Sequence, residues 1–409
     1  MIGLITCIAI LLSLPATISR ASWVAVVAGS LAVMFGQLKG AVAIKKYVFN
    51  PEKKRFKIVS FILLTCLVVV SSASMYYLKQ DSANGRLLSW KMSLSALVQH
   101  PLGVGLGHFP SAYGETQSAY FASGSASETD EYVAGNHEYA FNEYLQIAIE
   151  SGIVSLLLFI GMLVCVFCGL IKCKNYGVMG ALVALLTFAC FSYPFNVLPI
   201  LIVFVFLLVF GGDTQTKQVS QIGSESTKNR SIFVICLHVC CITVTTFCLW
   251  IQYPVYGAYK QWKIHQTYYQ MEFFKETTLK YEQLYPFLNG QIQFLFEYGR
   301  SLSQSKQPVK SNEVLQRAIQ ISCDPMLYNI MEKNYHMMNQ YQEAEKCFVK
   351  SSNIAPNRIY PYYLMALMYV DAGEMEKAKE MAQIVLTKEP KVNSIAVKEI
   401  RSEMTKLLE

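Results

Sequence analysis

Seven apolar runs dominate this sequence: 1–18, 21–37, 56–78, 153–171, 177–193, 197–211 and 231–253. A helix rises about 1.5 Å per residue, so roughly 20 apolar residues cross a hydrocarbon core of about 30 Å. In a chain that is 53% hydrophobic and 15% charged, such runs exceed what one water-soluble core can bury. They predict a polytopic, all-α membrane protein. The first and sixth runs are short or interrupted by proline, so their ends are approximate. Twelve cysteines leave that reading unchanged. Ten sit in or beside the apolar runs, as in "CVFCGLIKC" (165–173), where small side chains pack between helices. Cys165 and Cys168 have no second ligand pair in a polar setting, so no metal site is expected. Cys323 and Cys347 lie outside the runs, and sequence does not say whether they pair.

Charge orients the spans. Residues 38–57 carry seven Lys or Arg against one Glu, which marks a cytoplasmic loop. Counting forward puts loop 79–150 outside, "KCKNYG" inside, "SYPFNVLP" (192–199) outside, linker 212–230 inside and 254–409 outside. The outer loop 79–150 has three Lys or Arg and eight Asp or Glu, as an exported loop can. The expected organisation is a membrane core over 1–211, a cytoplasmic linker over 212–230, a span over 231–253 and a soluble tail.

The tail contains a 34-residue repeat. Tyr328, Tyr335, Ala344 and Pro356 recur 34 positions later as Tyr362, Tyr369, Ala378 and Pro390. That is the tetratricopeptide pattern, in which aromatic and small residues interlock two antiparallel helices and proline closes the unit. Residues 294–325 read as a degenerate copy, and 258–288 as another. Such arrays dock peptides or pack on neighbours. Chemistry is therefore expected in the core and its outer loop, with protein partners met through 254–409.

Three of the six histidines lie in the outer loop: His100, His108 and His137. In "PLGVGLGHF", Gly103, Gly105 and Gly107 let backbone approach a ligand or another segment closely. Arg20 and Arg86 fall at the outer ends of spans, where an arginine anchors the interface or binds an anion.

"SRASW", then "GR" before Trp90, then "HPLGVGLGHF", then "FNEYLQIAIESGIVS" entering a span, together resemble the O-antigen ligase and polymerase family over about 1–211. The tail is similar to versions found in Bacteroidetes-like bacteria. The resemblance implies an inverting, metal-independent glycosyltransferase without cofactor, using an undecaprenyl-diphosphate glycan at the outer face of the inner membrane. Family members usually have about ten to twelve spans, so an N-terminally truncated chain is expected. The implied acceptors are lipid A core, as in lipopolysaccharide ligation, another glycan, or a protein hydroxyl; no nucleic-acid partner is expected.

The resemblance also assigns residues. Arg20 and Arg86 match arginines that would neutralise the departing diphosphate. Asn142, Leu145 and Gly152 keep the spacing of the family's His-Asn motif, but Phe141 stands at the histidine position. His137 lies one turn upstream if 136–150 is helical, and helical side chains lean the wrong way for it to substitute. If 135–140 is a loop, that objection disappears. Glu138 and Glu143 are rival bases, Glu150 matches a recurrent family acid, and Asn142 could orient a sugar hydroxyl. Another class stays open: a non-catalytic membrane scaffold whose tail recruits partners.

Overall fold

The computed structural model describes residues 19–37, 80–219, 227–392 and 394–409. The runs 1–18 and 56–78 and the basic loop 38–57 lie outside the described residues. Among those described there are seventeen α-helices and no strand. They begin with α1 (Arg20–Gln37), α2 (Gln80–Gln99), α3 (Phe109–Ala122), α4 (Glu128–Val133) and α5 (Glu143–Ser151). Next come α6 (Ile153–Lys172), α7 (Tyr176–Ala189), α8 (Leu198–Val219) and the 44-residue α9 (Thr227–Gln270). Then follow α10 (Phe274–Leu288), α11 (Ile292–Gln304), α12 (Pro308–Ile319), α13 (Pro325–Met337), α14 (Tyr341–Ile354), α15 (Tyr360–Asp371), α16 (Met375–Thr387) and α17 (Ile395–Leu408). Among the described residues two stretches are long and apolar enough to cross a membrane, α6 and His238–Gln270 within α9. Tyr176–Ala189 and Leu198–Val209 are shorter apolar helices.

The chain divides into two compact units, one from Met1–Val104 with Tyr139–Gly223, the other from Gly105–Glu138 with Ser224–Glu409. In the first, α1 and α7 meet backbone to backbone. A Cβ on Gly29 would lie 2.6 Å from the Gly180 carbonyl oxygen, so only glycine permits this crossing. Leu163 and Leu170 of α6, Leu182 and Leu186 of α7 and Phe204 of α8 form a common apolar core. Asn142 starts α5 by accepting from the N–H groups of Tyr144 (3.0 Å) and Leu145 (3.2 Å), an N-cap that fixes where the helix begins. Residues 134–142 are therefore not helical, and the one-turn relation between His137 and Phe141 does not exist.

Gly103 accounts for part of the glycine-rich stretch. It has φ 94°, and a Cβ there would lie 2.7 Å from the Glu150 carbonyl oxygen and the Gly152 nitrogen. Hydrogen bonds from Val104 N–H to Ile149 O (2.9 Å) and from Ile153 N–H to Pro101 O (3.0 Å) stitch this segment to the α5–α6 junction. Gly105 and Gly107 also have positive φ but belong to the second unit.

The second unit is the repeat. Its hairpins are the end of α9 with α10, then α11–α12, α13–α14 and α15–α16, with α17 closing the array. Each hairpin turns on a left-handed residue: Glu272, Lys306, Asn339 and Gly373, spaced 33 or 34 residues apart. The next residue in each case donates its N–H five positions back, to Tyr268, Leu302, Tyr335 and Tyr369, satisfying helix-end carbonyls. The two degenerate copies thus share the backbone geometry of the clear ones. Ala344 and Ala378 are fully buried against Phe348, Leu364, Met365 and Met368, which is why the small residue recurs.

No break separates α9 from the array; the helix runs through Pro254. Glu297, 4% exposed, locks it there. Its carboxylate accepts from Trp262 Nε1 (2.9 Å) and Gln266 Nε2 (2.7 Å) of α9, Tyr281 Oη (2.8 Å) of α10 and Gln293 Nε2 (3.0 Å) of α11. A buried carboxylate is costly unless its lone pairs are filled, and here four donors fill them. Cys323 and Cys347 are buried free thiols, both pushed up to about 12 by burial, so they are not paired and not reactive.

Residues 79–150, expected to belong whole to the 1–211 core, divide instead. The part Gly105–Glu138 is built into the repeat unit. Helix α3 lies along successive hairpin ends: Ser111 Oγ donates to Ile319 O (2.9 Å) and Gln117 Nε2 to Ile354 O (2.6 Å). A Cβ on Gly114 would collide with Cys323. In return Asn357 Nδ2 donates to the carbonyls of Tyr132 (2.9 Å) and Ala134 (2.8 Å). Ion pairs Lys350–Glu115 (2.6 Å) and Lys388–Glu131 (3.4 Å) flank these bonds.

Candidate active site

In the first unit, Arg20 at the start of α1 and Arg86 on α2 line one cavity of about 320 Å³ with Ala21, Val24, Ala83, Leu87, Trp90 and Phe191. The walls are apolar and the two cations stand in for all the charge. Burial lowers the pKa of Arg86, and repulsion from Arg20 lowers it further. An anion between the guanidinium groups would relieve both costs. Among the described residues the buried indole N–H of Trp90 has no acceptor, and it could donate to a ligand oxygen at the same wall.

A second group of side chains leads from Arg86 to α5. The Arg86 guanidinium lies 5.6 Å from the centre of the Phe141 ring, a cation–π contact. Phe141 itself has φ 52°, a left-handed conformation unusual for an aromatic residue. Its ring meets the edge of Tyr193, which stacks on Tyr139 at 4.5 Å. Tyr193 begins the short 3-10 turn Pro194–Asn196, and the Phe195 N–H of that turn donates to Glu143 Oε1 at 2.7 Å. The "SYPFNVLP" segment thus touches both the arginine side and the carboxylate side.

Glu143 is 3% exposed, at the first turn of α5. Burial raises its carboxyl to about 7; the Phe195 N–H pulls the other way, and Glu150 adds to the rise. A carboxyl titrating there can take a proton at neutral pH. Gln146, one turn on, accepts from Ala140 N–H (3.0 Å) and donates to Glu150 Oε1 (2.9 Å), so it ties the preceding loop to the helix end.

The structure places the sequence-predicted residues unequally. Arg20, Arg86, Asn142, Glu143, Glu150 and Gly103 belong to the first unit, whereas Gly105, Gly107, His137 and Glu138 belong to the second. The oxygen of Asn142 is engaged as the helix cap, which leaves its amide NH₂ for any ligand. Glu138 is exposed. His137 is half-buried, with its ring edge-on to Tyr113 at 5.3 Å. Burial, then Lys391, lowers its pKa to about 4, so it is neutral at physiological pH. Sequence reasoning missed Phe191, Tyr139 and Gln146, whereas the "SYPFNVLP" turn that holds Tyr193 was expected to pack over the site. Only the aromatic density around "SYPF" could have pointed to them.

Residues 5–160 match the family model described as O-antigen ligase (Wzy_C). No curated protein matches the chain. Two solved structures, "Crystal structure of MamA protein" and "Crystal structure of MamA", align at 18% and 19% identity with TM-scores of 0.30 and 0.29. They cover 37% and 36% of this chain and 87% and 90% of their own. At those scores the likeness carries no weight for function. The matched family consists of membrane glycosyltransferases that join a lipid-linked glycan to an acceptor. Residues 5–160 of this chain are similar to the O-antigen ligase family, and the chain continues into an array of helical hairpins that repeats every 33 or 34 residues.

Proposed function

We propose that this chain moves a glycan from undecaprenyl diphosphate to an acceptor hydroxyl at the outer face of the inner membrane. The observation that carries the reading is the pair Arg20 and Arg86 in one apolar-walled cavity. As the anomeric C1–O bond breaks, the departing diphosphate gains negative charge. Forked guanidinium donors stabilise that charge without a metal. The acceptor oxygen attacks C1 from the opposite face, inverting it, and its proton passes to Glu143. Phe195 N–H holds Oε1, which leaves Oε2 to take the proton.

Glu143 takes the role that the family gives to histidine because Phe141 occupies the histidine position. Three acceptors fit this chemistry: lipid A core sugar, another repeat unit, or a protein Ser or Thr. Glycan profiling of a deletion strain separates them. Loss of long-chain lipopolysaccharide marks a ligase, a changed length distribution marks a polymerase, and loss of glycoproteins marks an oligosaccharyltransferase. An unaltered profile in all three respects contradicts the reading. Phe141 also favours a second reading, a scaffold without turnover, and the same unaltered profile would support it.

The reading requires loop 79–150 and residues 254–409 to face outward, as the seven-to-one charge bias of 38–57 suggests. Ser123 lies in an exposed turn of that loop. In a background lacking the native thiols, Ser123→Cys is expected to react with an impermeant thiol reagent without breach of the inner membrane. Reaction only after breach reverses the orientation.

A further inference from the structure

The array holds the chain's own loop as a docked partner, and the contacts follow chain order. Ser111 meets the end of α12, Gln117 the end of α14, and Glu131 reaches Lys388 beyond α16. The loop runs along three successive hairpin ends, as a bound peptide would along a repeat array. Helix ends leave carbonyl groups unsatisfied, and loop side chains satisfy those of Ile319 and Ile354.

Two central amides fix the position of the loop on the array. Gln117 is fully buried and donates to both Ile354 O and Gly135 O, while the Tyr113 hydroxyl donates to its Oε1. Asn357, 9% exposed, donates to Tyr132 O and Ala134 O. If the loop left, water would replace these partners, but buried Tyr113, Val133 and Cys323 would be uncovered, which disfavours an open state. Phe109, Tyr113, Val133 and Ala134 of the same stretch are also buried, and Gly114 packs against Cys323. The specificity of the contact lies in amide-to-carbonyl geometry.

We propose that the repeat array is a permanent clamp for Gly105–Glu138, with Asn357 and Gln117 as positioning residues. The clamped stretch ends shortly before Tyr139, where the chain enters the segment that carries Phe141 and Glu143. The edge formed by the hairpin ends is therefore occupied in cis, and other proteins must use the remaining faces of the array. The consequence for turnover rests on the transferase reading; the clamp itself does not.

The test uses the full chain in membranes. Asn357→Asp keeps the side-chain shape but turns two donors into an acceptor facing carbonyls. It is expected to speed cleavage by a broad-specificity protease in the exposed turn 123–127 at least about ten-fold, at unchanged helical content. Turnover should fall about ten- to hundred-fold through kcat, with donor KM little changed. Unchanged cleavage overturns the clamp. A second variant guards against misfolding: Glu115→Cys with Lys350→Cys, other cysteines replaced, linked by a short bis-maleimide. The link should form readily, and the linked chain should keep at least half of its turnover. Failure to link overturns the clamp, and loss of turnover on linking shows that the loop must leave the array. If the wild-type chain transfers no glycan, the transferase reading fails, and cleavage and linking still decide the clamp.

Discussion

Arg86→Ala is expected to lower glycan transfer from an undecaprenyl-diphosphate donor by about 100- to 1,000-fold, at matched protein levels in membranes. Removing one preorganised donor to a developing charge typically costs about 2.7–4 kcal/mol of transition-state stabilisation. Arg86 shares its cavity with Arg20, so the variant loses one of two cations that would grip the diphosphate. Arg86→Lys keeps the charge but loses the planar fork, and is expected to fall between wild type and alanine. The packing cost of the alanine change is limited, because Arg86 is only half-buried. Turnover within two-fold of wild type by Arg86→Ala would remove the leaving-group role.

Glu143→Gln should lower turnover by about 100- to 10,000-fold, the range for losing a positioned general base. The same residue sets the acid limb of the pH profile. Its carboxyl titrates at about 7, so wild-type turnover falls as pH drops below 7 and the base becomes protonated. Glu143→Gln should erase that limb. Stability moves the opposite way. Because the folded state raises this carboxyl above its ordinary value, the native protein binds more protons than the unfolded chain between about 4.5 and 7. Stability contributed by the protonated form is present below 4.5 and lost as pH rises through 7. Glu143→Gln should therefore raise the melting temperature at pH 8 and leave it nearly unchanged at pH 4. His137→Ala is expected to cost turnover no more than a few-fold, since its neutral ring packs on Tyr113 in the repeat unit. A hundred-fold loss with His137→Ala, and little with Glu143→Gln, would reverse the assignment of the base.

Much of the architecture was legible because it rests on periodic side chains. Ala344 and Ala378 recur since a larger residue cannot fit between the helices of a hairpin, and Tyr335 and Tyr369 end the first helix of each. Gly103 was legible as a close approach, although sequence did not say to what. The start of α5 could have been read from Asn142 followed by Glu143, a cap signal that a helix over 136–150 overrides. The docking of Gly105–Glu138 on the array left no such trace. Asn357 and Gln117 bind backbone carbonyls, which every residue carries, so neither composition nor spacing marks the pair. The value near 7 for Glu143 was equally hidden, because it depends on burial and on the Phe195 N–H, 52 residues away. His137 drew attention by chemistry alone, and its surroundings belong to packing.

The central claim is transfer from a lipid diphosphate with inversion. The direct measurement is reconstitution of the full chain with an undecaprenyl-diphosphate glycan and an acceptor carrying a free hydroxyl, following diphosphate release and the anomeric configuration of the product by NMR. The account requires one undecaprenyl diphosphate released for each new glycosidic bond, with the configuration at C1 inverted and no dependence on added metal. A donor left intact, or a product that retains the donor's configuration, would contradict it.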